Sequence, residues 1–166
     1  MYAGKTTHLI EHINQESIVL DFSESSECFN GTLTSHKKEK VNCIKIHRLC
    51  DLFITTSIDI IDQFRKTKRI LINEAQFFSD LLEFIKTIEK YNVEIFVYGL
   101  DGDFERKPFG QILNIIPYCN EVVKLNGSCY YCNQPSLFSK RIVNNKEQYL
   151  TDETAYRPVC RKCYLE

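Results

Sequence analysis

Apolar and polar residues alternate in two different periods along the first 124 positions, and the switch between the periods predicts the elements. Short β-branched runs at Ser17–Phe22, Val41–Ile46, Arg69–Ile72, Val93–Tyr98 and Glu121–Lys124 read as strands. Between the third and fourth, Leu81, Leu82, Phe84, Ile85 and Ile88 share one face at a 3.6-residue period, which predicts a helix. Asp80 with Glu83 three positions on reads as its capping box. A further helix is expected from about Thr6, with Leu9, Ile10 and Ile13 inward. Strands interleaved with helices are the pattern of an open α/β sheet with crossover helices. From Leu125 onward the pattern changes to short strands and turns around cysteines, with 148–158 as a polar loop. Two parts are therefore expected: a nucleotide-type α/β unit over residues 1–124 and a small module over 125–166.

Charge narrows the classes of partner. The 166 residues carry 21 Lys+Arg against 22 Asp+Glu, a formal net charge of −1. With no basic excess and no long like-charge block, nucleic acid is not an expected partner, while a small charged ligand is compatible. No run approaches the ~20 apolar residues a spanning helix needs, and the N-terminus lacks the plan of a secretory signal. The expectation is a cytoplasmic protein without membrane contact.

The eight cysteines divide by position. Cys28, Cys43, Cys50 and Cys119 are scattered, whereas Cys129/Cys132 and Cys160/Cys163 form two C-x-x-C pairs separated by residues 133–159. Two such pairs can present four thiolates tetrahedrally to Zn²⁺, a structural site that contributes on the order of 10 kcal/mol or more to folding. It would anchor both ends of the loop between the pairs. A nucleic-acid-binding zinc ribbon is disfavoured, because only Lys140, Arg141, Arg161 and Lys162 offer charge nearby.

Three segments carry candidate chemistry. Gly4-Lys5-Thr6-Thr7 contains the G-K-T end of a phosphate loop, in which backbone N–H groups cradle phosphate, the lysine reaches the terminal phosphates and the hydroxyl binds Mg²⁺. Asn73-Glu74 ends an apolar strand, and ligands in open α/β sheets bind beyond strand C-termini. Residues 100–109 mix charges with Phe104 and Phe109 at the same sheet edge, a pocket wall in which aromatics could hold a flat ring. His8 and His12 stand at i, i+4 and read as a solvated helix face rather than metal ligands.

At these segments the chain resembles the type II thymidine kinases of animals, bacteria and large DNA viruses. The matching blocks are Met-Tyr-Ala-Gly-Lys-Thr-Thr at 1–7, Glu-Ala-Gln-Phe-Phe at 74–78, Leu-Asp-Gly-Asp-Phe-Glu-Arg-Lys-Pro-Phe at 100–109 and Ile-Leu-Asn-Ile-Ile-Pro at 112–117. Val-Val-Lys-Leu at 122–125, Ser-Lys-Arg at 139–141 and Tyr156 ahead of Val-Cys-Arg-Lys-Cys-Tyr at 159–164 extend the match in the family's order. The resemblance implies a P-loop-type parallel sheet with helices on both faces, plus a C-terminal zinc module with a substrate-covering lasso loop. It implies transfer of the ATP γ-phosphate to the 5′-hydroxyl of thymidine, with Mg²⁺, in a cytosolic homotetramer. Glu74 would be the general base. Gly4, Lys5, Thr6, Thr7 and Asn73 would hold phosphate and Mg²⁺. Met1, Leu100, Phe104, Phe109, Ser139 and Tyr156 match the thymidine pocket, with Tyr149 and Thr151 in the loop whose backbone holds the base.

Four departures from the family pattern stand out. The family has a strand and a Gly-Pro ahead of the methionine that aligns with Met1, so the first strand and first loop glycine are expected to be missing, with neighbouring strand edges left unpaired. Asn73 replaces an aspartate beside Mg²⁺, and Ser25 and Glu27 replace an aspartate and an arginine near the phosphates. Thr151-Asp152 replaces a glycine pair, at a cost wherever φ > 0 is required. These departures support a second reading, a weak or inactive homologue acting as a nucleotide-binding or oligomer-forming subunit.

Overall fold

The computed structural model describes residues 3–35 and 38–166. After helix α1 (Lys5–Glu11) come strands β1 (Ser17–Phe22), β2 (Phe29–Thr34) and β3 (Lys40–Ile46), helix α2 (Ile58–Lys66), strand β4 (Arg69–Asn73), helix α3 (Leu81–Ile88) and strand β5 (Glu94–Val97). The five strands form one sheet in the order β2-β3-β1-β4-β5. β1 pairs in parallel with β3 and β4, β4 pairs in parallel with β5, and only β2 runs antiparallel, at the β3 edge.

Period-2 alternation divides the sheet's side chains between two cores. Ile18, Leu20, Ile44, Ile46, Ile70 and Ile72 face Ile60 of α2 and Leu81, Phe84 and Ile88 of α3. Val19, Cys43 and Leu71 face Leu9 of α1, with Tyr98. Each large side chain fully buried in this way is worth about 1.5–3 kcal/mol. That is why the α3 stripe, buried at Leu81, Phe84, Ile85 and Ile88, makes a helix with an obvious inner face.

Two local expectations fail, each for a physical reason. Asp80 precedes α3, yet its carboxylate does not cap that helix. It accepts instead from the Leu49 N–H at 3.1 Å and the Cys50 N–H at 2.9 Å, satisfying donors at the start of the 3₁₀ turn Leu49–Phe53. Residues 121–124 form no strand, and Val122 and Val123 are each 59 % exposed. A β-branched run becomes a strand only beside a partner, and among the described residues none lies next to it; the outer edge of β5 is likewise unpaired.

The C-terminal part contains the short pairs β6 (Gly127–Ser128) with β7 (Pro135–Ser136) and β8 (Phe138–Arg141) with β9 (Tyr156–Val159), then helix α4 (Arg161–Leu165). It docks on residues 100–109: the Tyr164 hydroxyl donates to the Phe104 carbonyl at 2.7 Å, and the Arg106 guanidinium lies 4.5 Å from the Tyr164 ring centre. No helix among the described residues is long and apolar enough to cross a membrane.

Candidate active site

Gly4 caps α1 with φ = +76°, a left-handed conformation that favours glycine, and the His8 N–H bonds to its carbonyl at 2.9 Å. Gly4, Lys5, Thr6 and Thr7 form one side of a cavity of about 240 Å³. Glu74, Leu100, Phe104 and Phe109 line it from the sheet side, and Ser139, Tyr149 and Tyr156 from the C-terminal part. Lys5 enters no ion pair among the described residues. Asn73 lines an adjoining, more open cavity of about 330 Å³ with Thr6, Asp21 and Glu74. Thr151 lines neither cavity, and Met1 lies outside the described residues.

Glu74 follows the last residue of β4 in a left-handed conformation, φ = 49° and ψ = 41°. For a residue with a side chain this costs on the order of 1–3 kcal/mol and has to be imposed by its surroundings. The imposing contacts are visible. The Ala75 N–H bonds to the Tyr98 carbonyl at 2.9 Å, and the Gln76 side chain donates to the Glu74 carboxylate at 2.6 Å while accepting from the Leu100 N–H at 3.0 Å. Gly110, at φ = 57°, lets the chain pass so close that a Cβ there would sit 2.0 Å from the Gln76 carbonyl oxygen. Gln76 thus couples the Glu74 carboxylate to the wall that begins at Leu100. In the sequence it stood only as one member of the matching block at 74–78; its burial and its two partners reveal what it does.

Behind Glu74 lies a buried polar pair. Asp21 and Asn73 are register partners on β1 and β4, and the Asn73 amide donates to Asp21 Oδ1 at 2.8 Å. The other Asp21 oxygen is ion-paired with Lys45 of β3. Asn73 is 3 % exposed, and its Oδ1 has no hydrogen-bond partner among the described residues. Thr6, Asp21, Asn73 and Glu74 thus bring a hydroxyl, two carboxylates and an amide to the lining of one cavity, the kind of oxygen-bearing groups that a hard cation such as Mg²⁺ takes.

The loop between β8 and β9 closes the other side. The Arg141 guanidinium donates to the carbonyls of Asn145 at 3.0 Å and Gln148 at 3.3 Å, and to that of Glu147 and the Tyr156 hydroxyl. It also lies 3.7 Å from the Phe104 ring centre. Phe104 is therefore covered by a cation on one face, while Phe109 meets Phe77 edge-on at 5.5 Å and Phe77 meets Tyr149 at 4.6 Å. Gln148 donates to the buried Asp103 at 2.9 Å, and the Leu150 N–H to the Tyr156 hydroxyl at 2.9 Å. Burial, followed by the negative charge of Glu74, pushes the Tyr149 hydroxyl pKa up.

Two of the departures from the family pattern can be placed. Neither Thr151 nor Asp152 has a positive φ, so the exchange of the glycine pair strains nothing here. Asp152 instead caps the 3₁₀ turn Glu153–Ala155, accepting from the Thr154 N–H at 2.9 Å. Ser25 and Glu27 are exposed and line neither cavity.

The cysteine quartet is well formed. The Sγ atoms of Cys129, Cys132, Cys160 and Cys163 all lie within 4.8 Å of one another, with Cys132 at 3.6 Å from Cys160 and 3.7 Å from Cys163. Four ligands at the ~2.3 Å Zn–S distance on a tetrahedron stand about 3.8 Å apart, so the set fits Zn²⁺. None of the eight cysteines forms a disulfide. Asn133, at φ = 57°, turns the chain after Cys132 and returns its N–H to the Cys129 carbonyl at 3.0 Å. Burial and the neighbouring thiols push the Cys163 thiol up to about 12, whereas at Cys129 burial is outweighed by hydrogen bonds from the backbone of Cys160, Tyr131 and Cys132, which bring the thiol down to about 6. His8 and His12 are occupied locally, His8 with the Tyr98 hydroxyl at 3.1 Å and His12 with the His8 carbonyl at 2.8 Å.

The family model described as "Thymidine kinase" matches residues 1–164. The chain is 32% identical over 173 aligned residues to the thymidine kinase of vaccinia virus (strain Western Reserve), an alignment that covers 100% of this chain and 93% of that protein. Thymidine kinases of monkeypox virus and variola virus match at the same identity and the same coverage.

Proposed function

The chain belongs to the thymidine kinase family, and we propose that it transfers the γ-phosphate of ATP to the 5′-hydroxyl of thymidine, giving dTMP. The observation that carries this reading is the position of Glu74 in one cavity with both the turn at Gly4, Lys5, Thr6 and Thr7 and the side chains of Leu100, Phe104, Phe109 and Tyr156, so that one carboxylate borders a phosphate-type turn and a space for a nucleoside. The smaller cavity, at about 240 Å³, is close to the lower end of small-molecule sites, roughly 300–1,000 Å³.

In the proposed reaction the Lys5 ammonium and the N–H groups of the turn at Gly4 hold the phosphates of ATP, with Thr6 and Thr7 beside them. Thymidine lies between Leu100, Phe104 and Phe109 on one side and Tyr149 and Tyr156 on the other. Ser139, Thr151 and Met1 join this set by resemblance to the family. Glu74 accepts the proton of the 5′-hydroxyl as that oxygen attacks phosphorus, and Gln76 holds the carboxylate in line. Thr6 and Asn73 would hold Mg²⁺, which when bound neutralises charge between the transferring phosphates. The loop from 142 to 155, held by Arg141, excludes water from the transfer.

Zn²⁺ on Cys129, Cys132, Cys160 and Cys163 would fix the ends of that loop, and residues 125–166 would form a zinc module distinct from the 1–124 kinase core. A homotetramer in the cytoplasm completes the proposal; size-exclusion chromatography with light scattering tests the assembly. The reaction itself is tested with radiolabelled thymidine and ATP. Turnover is expected in the wild type, with a loss of about 10²- to 10⁴-fold in Glu74→Gln. Wild-type turnover no greater than that of Glu74→Gln overturns the reading.

A further inference from the structure

The 100–109 wall and the loop between β8 and β9 meet at two side chains to which the proposed reaction gives no part, Asp103 and Gln148. Resting on the proposed thymidine phosphorylation, we infer that they are a positioning pair that seats the 142–155 loop on the aromatic wall of the nucleoside site. Asp103 is the fixed half of the pair, and Gln148 is the half that travels with the loop.

The two oxygens of Asp103 do different jobs. Oδ1 accepts from the Glu105 N–H and the Lys107 N–H, each at 2.9 Å, and so closes the turn from Asp103 to Lys107. The backbone fastens the same turn: the Asp103 N–H bonds to the Lys107 carbonyl at 2.9 Å and the Arg106 N–H to the Asp103 carbonyl at 3.0 Å. Oδ2 serves the loop instead, accepting from Gln148 Nε2 at 2.9 Å. A turn-forming aspartate explains Oδ1 and leaves that second bond unexplained. At 7 % exposure the carboxylate has lost most of its water, so an amide donor replaces solvent there in a charge-assisted bond, stronger than a neutral one.

Gln148 is gripped from both ends. Its carbonyl accepts from the Arg141 guanidinium at 3.3 Å while its side chain donates to Asp103. The two residues after it carry the cover: Tyr149 meets the Phe77 ring at 4.6 Å, and the Leu150 N–H bonds to the Tyr156 hydroxyl at 2.9 Å. Asp103, Phe104, Gln148, Tyr149 and Tyr156 all line the cavity that holds Glu74. Releasing Gln148 therefore frees both tyrosines from the wall and leaves Glu74 and the phosphate turn in place, at the end of β4 and the start of α1.

The test swaps donor and acceptor in the full chain. It reads steady-state kinetics for thymidine and ATP, and amide hydrogen exchange over 142–155 without ligand. Gln148→Glu sets a carboxylate against Asp103 and is expected to raise the thymidine KM about tenfold, with the ATP KM unchanged and kcat reduced less than about threefold. Hydrogen exchange in the loop should quicken with it. In Asp103→Asn the turn keeps its Oδ1 acceptor and Gln148 can turn its amide over, so a smaller loss is expected than in Gln148→Glu. The swapped pair, Gln148→Glu with Asp103→Asn, again faces a donor with an acceptor and is expected to recover most of both effects. Two merely structural residues would instead give losses that add. Wild-type behaviour in Gln148→Glu, or a swapped pair no better than Gln148→Glu alone, overturns the inference. Should the Asp103 variants fail to fold by circular dichroism, Gln148→Leu decides. It removes the donor without adding charge, and unchanged loop exchange and thymidine KM in it overturn the pair. Thymidine turnover by the wild type is scored separately. Turnover with an indifferent Gln148→Glu sinks the pair alone; the expected hydrogen-exchange pattern without turnover sinks the kinase reading alone.

Discussion

The wall of the cavity that carries Glu74 grows out of the end of β4, a central strand with a paired neighbour on each side, whereas the wall that carries Ser139, Tyr149 and Tyr156 hangs from a four-residue ladder next to the cysteine quartet. The first is stiff because parallel strands and two apolar cores hold it; even the strained Glu74 backbone is tolerated there. The second has a small core of Cys129, Val159, Cys160 and Cys163, and its loop is gathered by one arginine. Chemistry placed on the stiff wall and substrate cover placed on the compliant one is the division that a gated phosphoryl transfer needs.

Removing the metal should break this contrast most strongly, because four-thiolate zinc contributes on the order of 10 kcal/mol or more to a small module. In Cys160→Ser, or in the chelated protein, zinc content is expected to fall and amide exchange to accelerate across 127–166, while β1, β3 and β4 stay protected. Acid should mimic chelation. Metal binding requires each sulfur to lose its proton, so lowering the pH favours the protonated, metal-free form and raising it favours zinc. Zinc release measured from pH 8 down to pH 5 checks the sign. Equal loss of protection in both walls would show that they form one cooperative unit.

A smaller change strikes the other wall. Phe84 is fully buried between α3 and the sheet, and Phe84→Ala should cost about 3–5 kcal/mol. The expected result is a lower melting temperature with one zinc per chain retained, read by calorimetry and metal analysis. Loss of zinc in parallel would mean that the module borrows its stability from the sheet.

The same contrast governs what the sequence could disclose. β1, β3, β4 and α3 were legible because each buries a run or stripe of apolar side chains whose period names the element. β2 and α2 were not, since each buries a single large apolar residue, Leu33 and Ile60. Residues 121–124 misled because β-branched composition reports that a segment can lie in a sheet, not that a neighbour exists. The cysteine pairs and Glu74 were visible through spacing and strand-end position. Asp21 was not, and Gln76 and Arg141 entered only as members of matching blocks, as each takes its role from a partner elsewhere in the chain; Asp21 meets Asn73 across 52 positions, and Gln76 meets Leu100 across 24.

Arg141 offers the finest test of the compliant wall. Its planar fork serves three backbone carbonyls and a tyrosine hydroxyl while lying over Phe104, a geometry that a lysine ammonium cannot reproduce. Charge-assisted hydrogen bonds are worth about 1.5–3 kcal/mol each, but a released loop recovers much of that from water. The net effect expected for Arg141→Lys is a rise of about tenfold in the thymidine KM, equivalent to roughly 1.4 kcal/mol, with Arg141→Ala somewhat larger. The ATP KM should stay unchanged, because Lys5 and Thr6 stand on α1, across the cavity from the loop. Steady-state kinetics with each substrate varied in turn separates the two. A matching rise in both constants would mean that the loop and the phosphate turn move together, and the division between a stiff and a compliant wall would fall.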